Sequence, residues 1–349
     1  MFHRIRQWIC PDLAIDLGSA NTQVAVAGEG VVLDEPSVVA LQRGTRQLLG
    51  RGSAVGKLAW QMLGRTPESI TAARPIREGV IVDFDLCEAM LRYFMLKALR
   101  TSRMRVRPTV VVSVPGSVTS VERRAVFHTV ERAGAGRVYL ISEPVAAGIG
   151  SGLPISEPMA SMVCDIGSGT TEVALFSLGE TVSRESIRIA GDKFDEAIID
   201  GLRKRLGMRI GQQTAELLKR DLGSAAPLDQ ELTAEVRGRD LISGIPRRAT
   251  VTSEEIRDAL QGPLDSISTC IQTCLENCSP DLIADLVDNG LVLTGGGSLL
   301  RNLDLYLNER LNIPVRVIDE PERAVVRGVS ICLEHLPEWE HALDAGDDE

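Results

Sequence analysis

The sequence predicts an α/β protein of two related lobes, and three observations carry that reading. Aliphatic and β-branched runs alternate with helical patterns along most of the chain, as layered sheet-and-helix domains require. One ten-residue phrase occurs twice, as DLGSANTQVA from Asp16 and as DIGSGTTEVA from Asp165, which marks an internal duplication. The 349 residues exceed one ordinary domain and suit two. Two related lobes facing each other would bring both Asp-Gly turns to one cleft.

The elements follow in order. Residues 12–27 read as two short strands around a Gly-Ser-Ala-Asn turn. EPSVVAL (35–41) and RQLLGRG (46–52) read as further strand and turn pieces, and GKLAWQML (56–63) as a helix. DLCEAMLRYFMLKAL has helical spacing, with Leu86, Met90, Leu91, Phe94, Met95 and Leu99 on one broad face. TVVVSVP, ended by Pro115, reads as a buried strand. SVERRAVFHTVERAG reads as a capped helix from Ser120 to Gly134, and VYLISEP as the next strand. The second half repeats the plan, with paired strands around Gly167–Gly169, a helix from Lys193 to Leu206, and GLVLTGGGSLL as a strand entering a Gly turn and a helix. Between these, residues 207–262 read as polar and mostly helical, and the acidic tail EHALDAGDDE as frayed.

Composition narrows the function classes. An apolar share of 44% and a charged share of 25% suit a soluble globular protein, and with aromatics at 3% the core must come from Val, Ile, Leu and Ala. A net charge of −10 argues against a general nucleic-acid binder. Of the seven cysteines, Cys270, Cys274 and Cys278 recur four apart on a predicted helix. Eight helical residues rise about 12 Å, too far for the outer two to share one ion, so core-facing thiols in a reducing compartment are expected. No run reaches the apolar length of a membrane span, and no secretory signal opens the chain, so a cytoplasmic protein is expected.

Each Asp-Gly-Ser turn is built of small residues that let backbone N–H groups approach an anion, the alternative being an ordinary β-turn. Asp16 and Asp165 at the strand ends suit a hydrated Mg²⁺, which takes one or two carboxylates plus phosphate oxygens and keeps several waters. LTGGGSLL (293–300) is a third Gly-rich turn, whose helix N-terminus faces a nucleotide or simply joins strand to helix. No GxxxxGK[ST] phrase is present, which disfavours a P-loop enzyme. Glu143, after a predicted strand and before Pro144, either orients a water that attacks a terminal phosphate or serves as a helix-start carboxylate.

DLGSANT, SEPVAAGIG, DIGSGTTEVA and LTGGGSLL, in that order, resemble the ATPase superfamily of actin, Hsp70 and sugar kinases. Within it the chain is similar over nearly its whole length to the bacterial cell-shape actins of the MreB family. GRTPESITAARPIREGVIVDFDL, VERRAV, SGLPISEPMASMV, GDKFDEAII and VRGRDLISGIPR carry that likeness. The resemblance implies a two-lobed actin-like fold of duplicated RNase H-like domains. The first lobe would be residues 1–145 with a small subdomain inserted at about 31–74. The second would be 146–322 with one at about 187–250, and 323–349 would return to the first.

The resemblance also implies roles. Asp16, Gly18, Ser19, Ala20 and Asn21 would form the first phosphate loop, and Asp165, Gly167, Ser168, Gly169 and Thr170 the second. Glu143 would be the hydrolytic carboxylate and Thr170 would help place the water. Gly191, Glu216, Leu217, Leu218 and Lys219 would border the nucleoside, as would Gly295, Gly296, Gly297, Ser298 and Leu299. The ligands would be ATP or ADP with Mg²⁺ held near Asp16 and Asp165 through water. Hydrolysis would be slow and coupled to polymerisation, and the product would be filaments, paired as protofilaments, on the inner face of the cell membrane. Partners would be further copies of the chain and membrane proteins of the cell-elongation machinery, organising peptidoglycan synthesis and rod shape.

Departures from the family pattern are Ser19 in place of Thr, Ser168 in place of Gly, Ser142 in place of an acidic residue, and Val329 and Ser330 in place of Ala and Gly. They put turnover in question and keep open a nucleotide-binding scaffold with little hydrolysis. A small-molecule kinase of the same fold would need an Asp placed to activate a substrate hydroxyl, and no residue stands out for that. A chaperone is disfavoured because no peptide-binding domain follows the ATPase part.

Two segments point to lipid. MFHRIRQWI places Phe2, Ile5, Trp8 and Ile9 on one helical stripe with Met1, flanked by Arg4 and Arg6. This suits an interfacial helix, or else a leader packed on the domain. RTSRMRVRP surrounds Met104 with Arg100, Arg103, Arg105 and Arg107, an arrangement that attracts anionic lipid or is a solvated basic loop. A nine-residue helix binds weakly alone and strongly when a filament presents many copies.

Overall fold

The computed structural model describes residues 11–43, 49, 54–100 and 106–346. The chain divides into two compact units, one of Met1–Pro154 with Arg323–Glu349 and the other of Ile155–Glu322.

The first unit is built on β1 (Leu13–Leu17), which pairs antiparallel with β2 (Asn21–Val26), which in turn pairs with β3 (Gly30–Pro36). Beyond β3 come β4 (Val39–Gln42), α1 (Lys57–Met62) and β5 (Ile70–Ala73). β4 and β5 form their own antiparallel pair, and Val38, Ala40, Ala54 and Ala59 give this segment a small core of its own. The short strands β6 (Ile76–Arg77) and β7 (Val80–Ile81) lead into α2 (Phe84–Ala98), whose first turn is capped by Asp83 accepting the Leu86 N–H at 3.1 Å. The expected apolar face of α2 is buried through Leu86, Met90, Leu91, Phe94 and Met95. β8 (Thr109–Val114) pairs parallel with β1 and is buried along its length, as a β-branched run covered on both faces must be. α3 (Ser120–Ala133), capped by a reciprocal Thr119–Glu122 box, leads to β9 (Arg137–Ser142), which is parallel to β8, and then to α4 (Glu143–Gly150).

The second unit repeats this order. β10 (Ser161–Ile166) pairs antiparallel with β11 (Thr171–Ser177), which pairs with β12 (Glu180–Ile187). α5 (Gly191–Leu206) follows, then β13 (Met208–Arg209) and α6 (Gln212–Leu222). β14 (Thr233–Asp240) and β15 (Pro246–Thr252) form a hairpin that joins β13 in a three-stranded sheet. α7 (Ser253–Glu276) and α8 (Pro280–Asn289) lead to β16 (Leu291–Thr294), parallel to β10, and α9 (Leu303–Leu311) leads to β17 (Val315–Val317), parallel to β16. The orders β3-β2-β1-β8-β9 and β12-β11-β10-β16-β17 have the same connectivity and the same parallel and antiparallel pairings. The repeated phrase therefore marks a repeated architecture.

The chain returns to the first unit with α10 (Ala324–Glu334), which packs on α4 at backbone distance. A Cβ on Gly328 would run into the Ala146 carbonyl, and one on Gly150 into the Ala324 carbonyl. Val329 is fully buried on this helix and Ser330 is half-buried.

Several sequence expectations need correction. Residues 207–262 are not mostly helical, since β13, β14 and β15 form a sheet there. Its hairpin fully buries only Val236 and Val251, so the alternation that signals a strand is drowned by solvent-facing Arg and Glu. The tail is not frayed where described: Leu343–Asp344 pairs with β9, and Asp344 receives Arg123 at 3.4 Å. Of RQLLGRG only Leu49 is described, and it is helical. Cys278 lies past the end of α7, whose buried thiols are Cys270 and Cys274. Burial pushes the Cys270 thiol up to about 12 and that of Cys274 up to about 11, so both behave as small core groups.

Candidate functional site

In each unit the candidate residues stand at the carboxyl ends of parallel strands, where α/β sheets place ligands. In the first unit Asp16 is the last residue but one of β1, and the neighbouring parallel strand β8 offers Ser113, whose Oγ donates to Asp16 Oδ1 at 2.7 Å. The same hydroxyl accepts the Leu17 N–H at 3.3 Å. The first loop is shaped by Ser37, whose Oγ donates to the Gly18 carbonyl at 2.7 Å and whose N–H donates to the Ala20 carbonyl at 2.7 Å. In a trans peptide the carbonyl and the next N–H point opposite ways, so holding the Gly18 carbonyl turns the Ser19 N–H outward. Ser19 itself is buried, and its Oγ accepts the Gly79 N–H at 2.9 Å. The Asn21 side chain donates to Asp34 at 2.9 Å. Glu143 is buried in the first turn of α4, directly after β9 and beside Pro144.

The second unit repeats the carboxylate–hydroxyl pair. Asp165 near the end of β10 accepts from Thr294 Oγ1 of β16 at 2.7 Å, across a register in which the two residues are partners. Asp165 is buried, and desolvation pushes its carboxyl up to about 6 although the Thr294 bond pulls the other way. In the loop, the Gly167 N–H donates to the Thr170 carbonyl at 2.9 Å. The start of α5 captures the loop's carbonyls: Gly191 N–H donates to Gly167 O at 3.2 Å, and Asp192 N–H to Ser168 O at 2.8 Å. Ser168 is half-buried, whereas Gly169 and Thr170 are buried.

The third Gly-rich turn belongs to the same cluster. Gly295 has φ +78°, which a side chain would strain, and a Cβ there would meet the backbone of Ile166, the residue before the second loop. Gly297 packs on the Ile166 side chain, Ser298 is buried, and Gly296 and Leu299 are exposed. On α6, Leu217 is exposed and Glu216 half-buried, while Leu218 turns into the core. The Lys219 ammonium lies 2.8 Å from Asp195 and donates to the Gly191 carbonyl at 2.9 Å. Thus within the second unit Gly167, Ser168 and Thr170 are tied to the start of α5 and, through Gly191, to Lys219, while Gly295 and Gly297 pack on Ile166 beside the loop. Ser113, Thr294, Ser37, Gly79 and Asp195 were not singled out from the sequence. The available signals were a lone Ser in TVVVSVP and a Thr immediately before GGG.

Phe2, Ile5, Trp8, Ile9 and Met104 lie outside the described residues. Among the described residues no helix is long and apolar enough to cross a membrane, and no cluster of three His, Cys, Asp or Glu side chains could hold a metal.

The family model described as MreB/Mbl protein matches residues 10–341. The chain belongs to the MreB/Mbl family. It is 50% identical over 336 residues to the cell shape-determining protein MreB of Escherichia coli strain K12, covering 96% of this chain and 97% of that one. Crystal structures of MreB5 of Spiroplasma citri bound to AMPPNP and to ADP each superpose with a TM-score of 0.89 at 33% identity, covering 95% of this chain and 98% of theirs. The MamK double helical filament has the same fold, with a TM-score of 0.77 at 22% identity over 94% of this chain and 99% of that one. The fold is therefore actin-like, as the sequence implied.

Proposed function

We propose that the chain binds ATP through a phosphate loop in each unit, hydrolyses it slowly, and polymerises into filaments on the inner face of a bacterial membrane. There it organises cell-wall synthesis and rod shape with membrane proteins of the elongation machinery. The observation that carries the nucleotide reading is the duplicated carboxylate, Asp16 and Asp165, each beside a small-residue turn and each receiving a hydroxyl from the parallel neighbour strand. Family membership, the AMPPNP- and ADP-bound states of the Spiroplasma relative and the name of the Escherichia coli relative support the same reading.

The residues fit a magnesium ion held through water. Asp165 is a buried carboxylate whose ionisation is opposed by desolvation, and a nearby cation offsets that cost. Among the described residues carboxylates are offered singly rather than as a cage, which suits an ion that keeps its waters and takes phosphate oxygens. When bound, the ion would neutralise charge on the phosphates. Asp16 and Asp165 would hold its water shell, the two loops would turn N–H groups to the phosphates, and Glu143 with Thr170 would orient the attacking water. Residues 1–9 and the loop at Met104 would bind lipid.

Glu143→Ala tests the hydrolytic role. Nucleotide binding persists and phosphate release stops; unchanged release would remove Glu143 from the mechanism. A scaffold with little turnover is kept open by Ser19, Ser142, Ser168, Val329 and Ser330, and Ser168 stands in the second loop itself; Ser168→Gly raises phosphate release if that reading is right.

A further inference from the structure

Asp195 has no role in the reading above, yet its carboxylate is buried on α5 and faces Lys219 at 2.8 Å. The same ammonium donates to the Gly191 carbonyl at 2.9 Å, which ties α6 to the first turn of α5. That turn holds the second loop through Gly191 N–H to Gly167 O and Asp192 N–H to Ser168 O. Both loop peptides are trans, so each captured carbonyl directs the following N–H, of Ser168 and of Gly169, away from α5. Gly191 is the meeting point. A Cβ there would stand 3.3 Å from Gly167 O, 3.4 Å from Ser168 Cα and 3.5 Å from Lys219 Nζ.

We propose that Asp195 is a positioning residue for nucleotide binding: by holding Lys219 it clamps α6 to the start of α5, which aims the second loop's N–H groups. Lys219 is then chiefly a strut, its ammonium ion-paired with Asp195 and donating to the Gly191 carbonyl. Asp195 acts through α6 and the first turn of α5, the two elements its ion pair joins. This inference rests on the nucleotide reading above. Burial pushes the Asp195 carboxyl up to about 6, with Lys219 pulling it down; removing the carboxylate alone leaves the Lys219 ammonium without its counter-charge, whereas removing both charges does not.

The test is ATP and ADP titration of the full chain and of Asp195→Asn, Asp195→Glu, Lys219→Met and the double variant Asp195→Asn with Lys219→Met, with thermal melting of each nucleotide-free protein. Wild type binds ATP. Asp195→Asn weakens binding about tenfold, the loss of one charge-assisted contact, and lowers the nucleotide-free melting temperature by leaving Lys219 unpaired, a loss that the double variant recovers in melting but not in binding. The double variant is no weaker than the weaker single, as for two parts of one device. Asp195→Glu keeps the charge but shifts it, and falls between wild type and Asp195→Asn. Equal binding by wild type and Asp195→Asn overturns the proposal and leaves the nucleotide reading standing. Binding that recovers together with melting temperature in the double variant makes Asp195 a mere fold element and also overturns it. If Asp195→Asn does not fold, Asp195→Glu decides by the same two readouts. A wild type that binds no ATP ends the nucleotide reading and this proposal with it.

Discussion

Thr294 Oγ1 donates to Asp165 Oδ1 at 2.7 Å from the adjacent parallel strand, and this bond holds the buried carboxylate at the mouth of the second loop. Its counterpart in the first unit is Ser113 to Asp16 at the same distance. Both pairs fix a carboxylate near a strand end through a hydroxyl of the adjacent parallel strand.

Thr294→Val keeps the β-branched shape and removes the donor. A buried acceptor that loses its partner costs about 1–3 kcal/mol. Denaturant unfolding at pH 8 should show that loss, and it should shrink in acid, where the protonated carboxyl suffers less from desolvation.

Asp165 predicts a pH dependence whose sign follows from its raised pKa of about 6, against an ordinary 3.8. The folded state binds the proton more tightly than the unfolded one. Its stabilising contribution is therefore complete below pH 3.8 and is lost as pH rises through about 6. The full span is worth about 3 kcal/mol. Unfolding of the nucleotide-free protein at pH 5 and pH 7.5 should show Asp165→Asn gaining on wild type at the higher pH. A constant difference between the two would contradict the account.

At the crossing of α4 and α10, a methyl group at Gly328 meets the Ala146 carbonyl, which has no rotamer by which to give way. Gly328→Ala should destabilise by at least the upper end of the about 1–3 kcal/mol typical of overpacking. Thermal melting of the variant beside wild type checks this.

What was legible in the sequence, and what was not, follows from how each element earns its place. β8 and β10 are buried on both sides, so their aliphatic runs announce them. α2 buries one stripe, so its helical spacing does. The duplicated turns were visible because a sharp turn at a strand end tolerates few residue types. The β14–β15 hairpin was hidden because it fully buries only two valines among arginines that suit a helix surface equally well. Ser113 and Thr294 were hidden for another reason: their meaning lies in a partner far along the chain, 97 residues for Ser113 and Asp16 and 129 for Thr294 and Asp165. Only strand register brings those hydroxyls to the carboxylates.

The central claim is that this chain is a nucleotide-dependent polymer that works on a membrane. Sedimentation of purified protein with ATP, with and without anionic liposomes, beside a variant lacking residues 1–9, tests it most directly. The account predicts that both proteins pellet as polymer with ATP, that the full chain also carries liposomes down, and that the shortened chain carries far fewer. A protein that stays monomeric under every nucleotide condition, with liposomes or without, would contradict it.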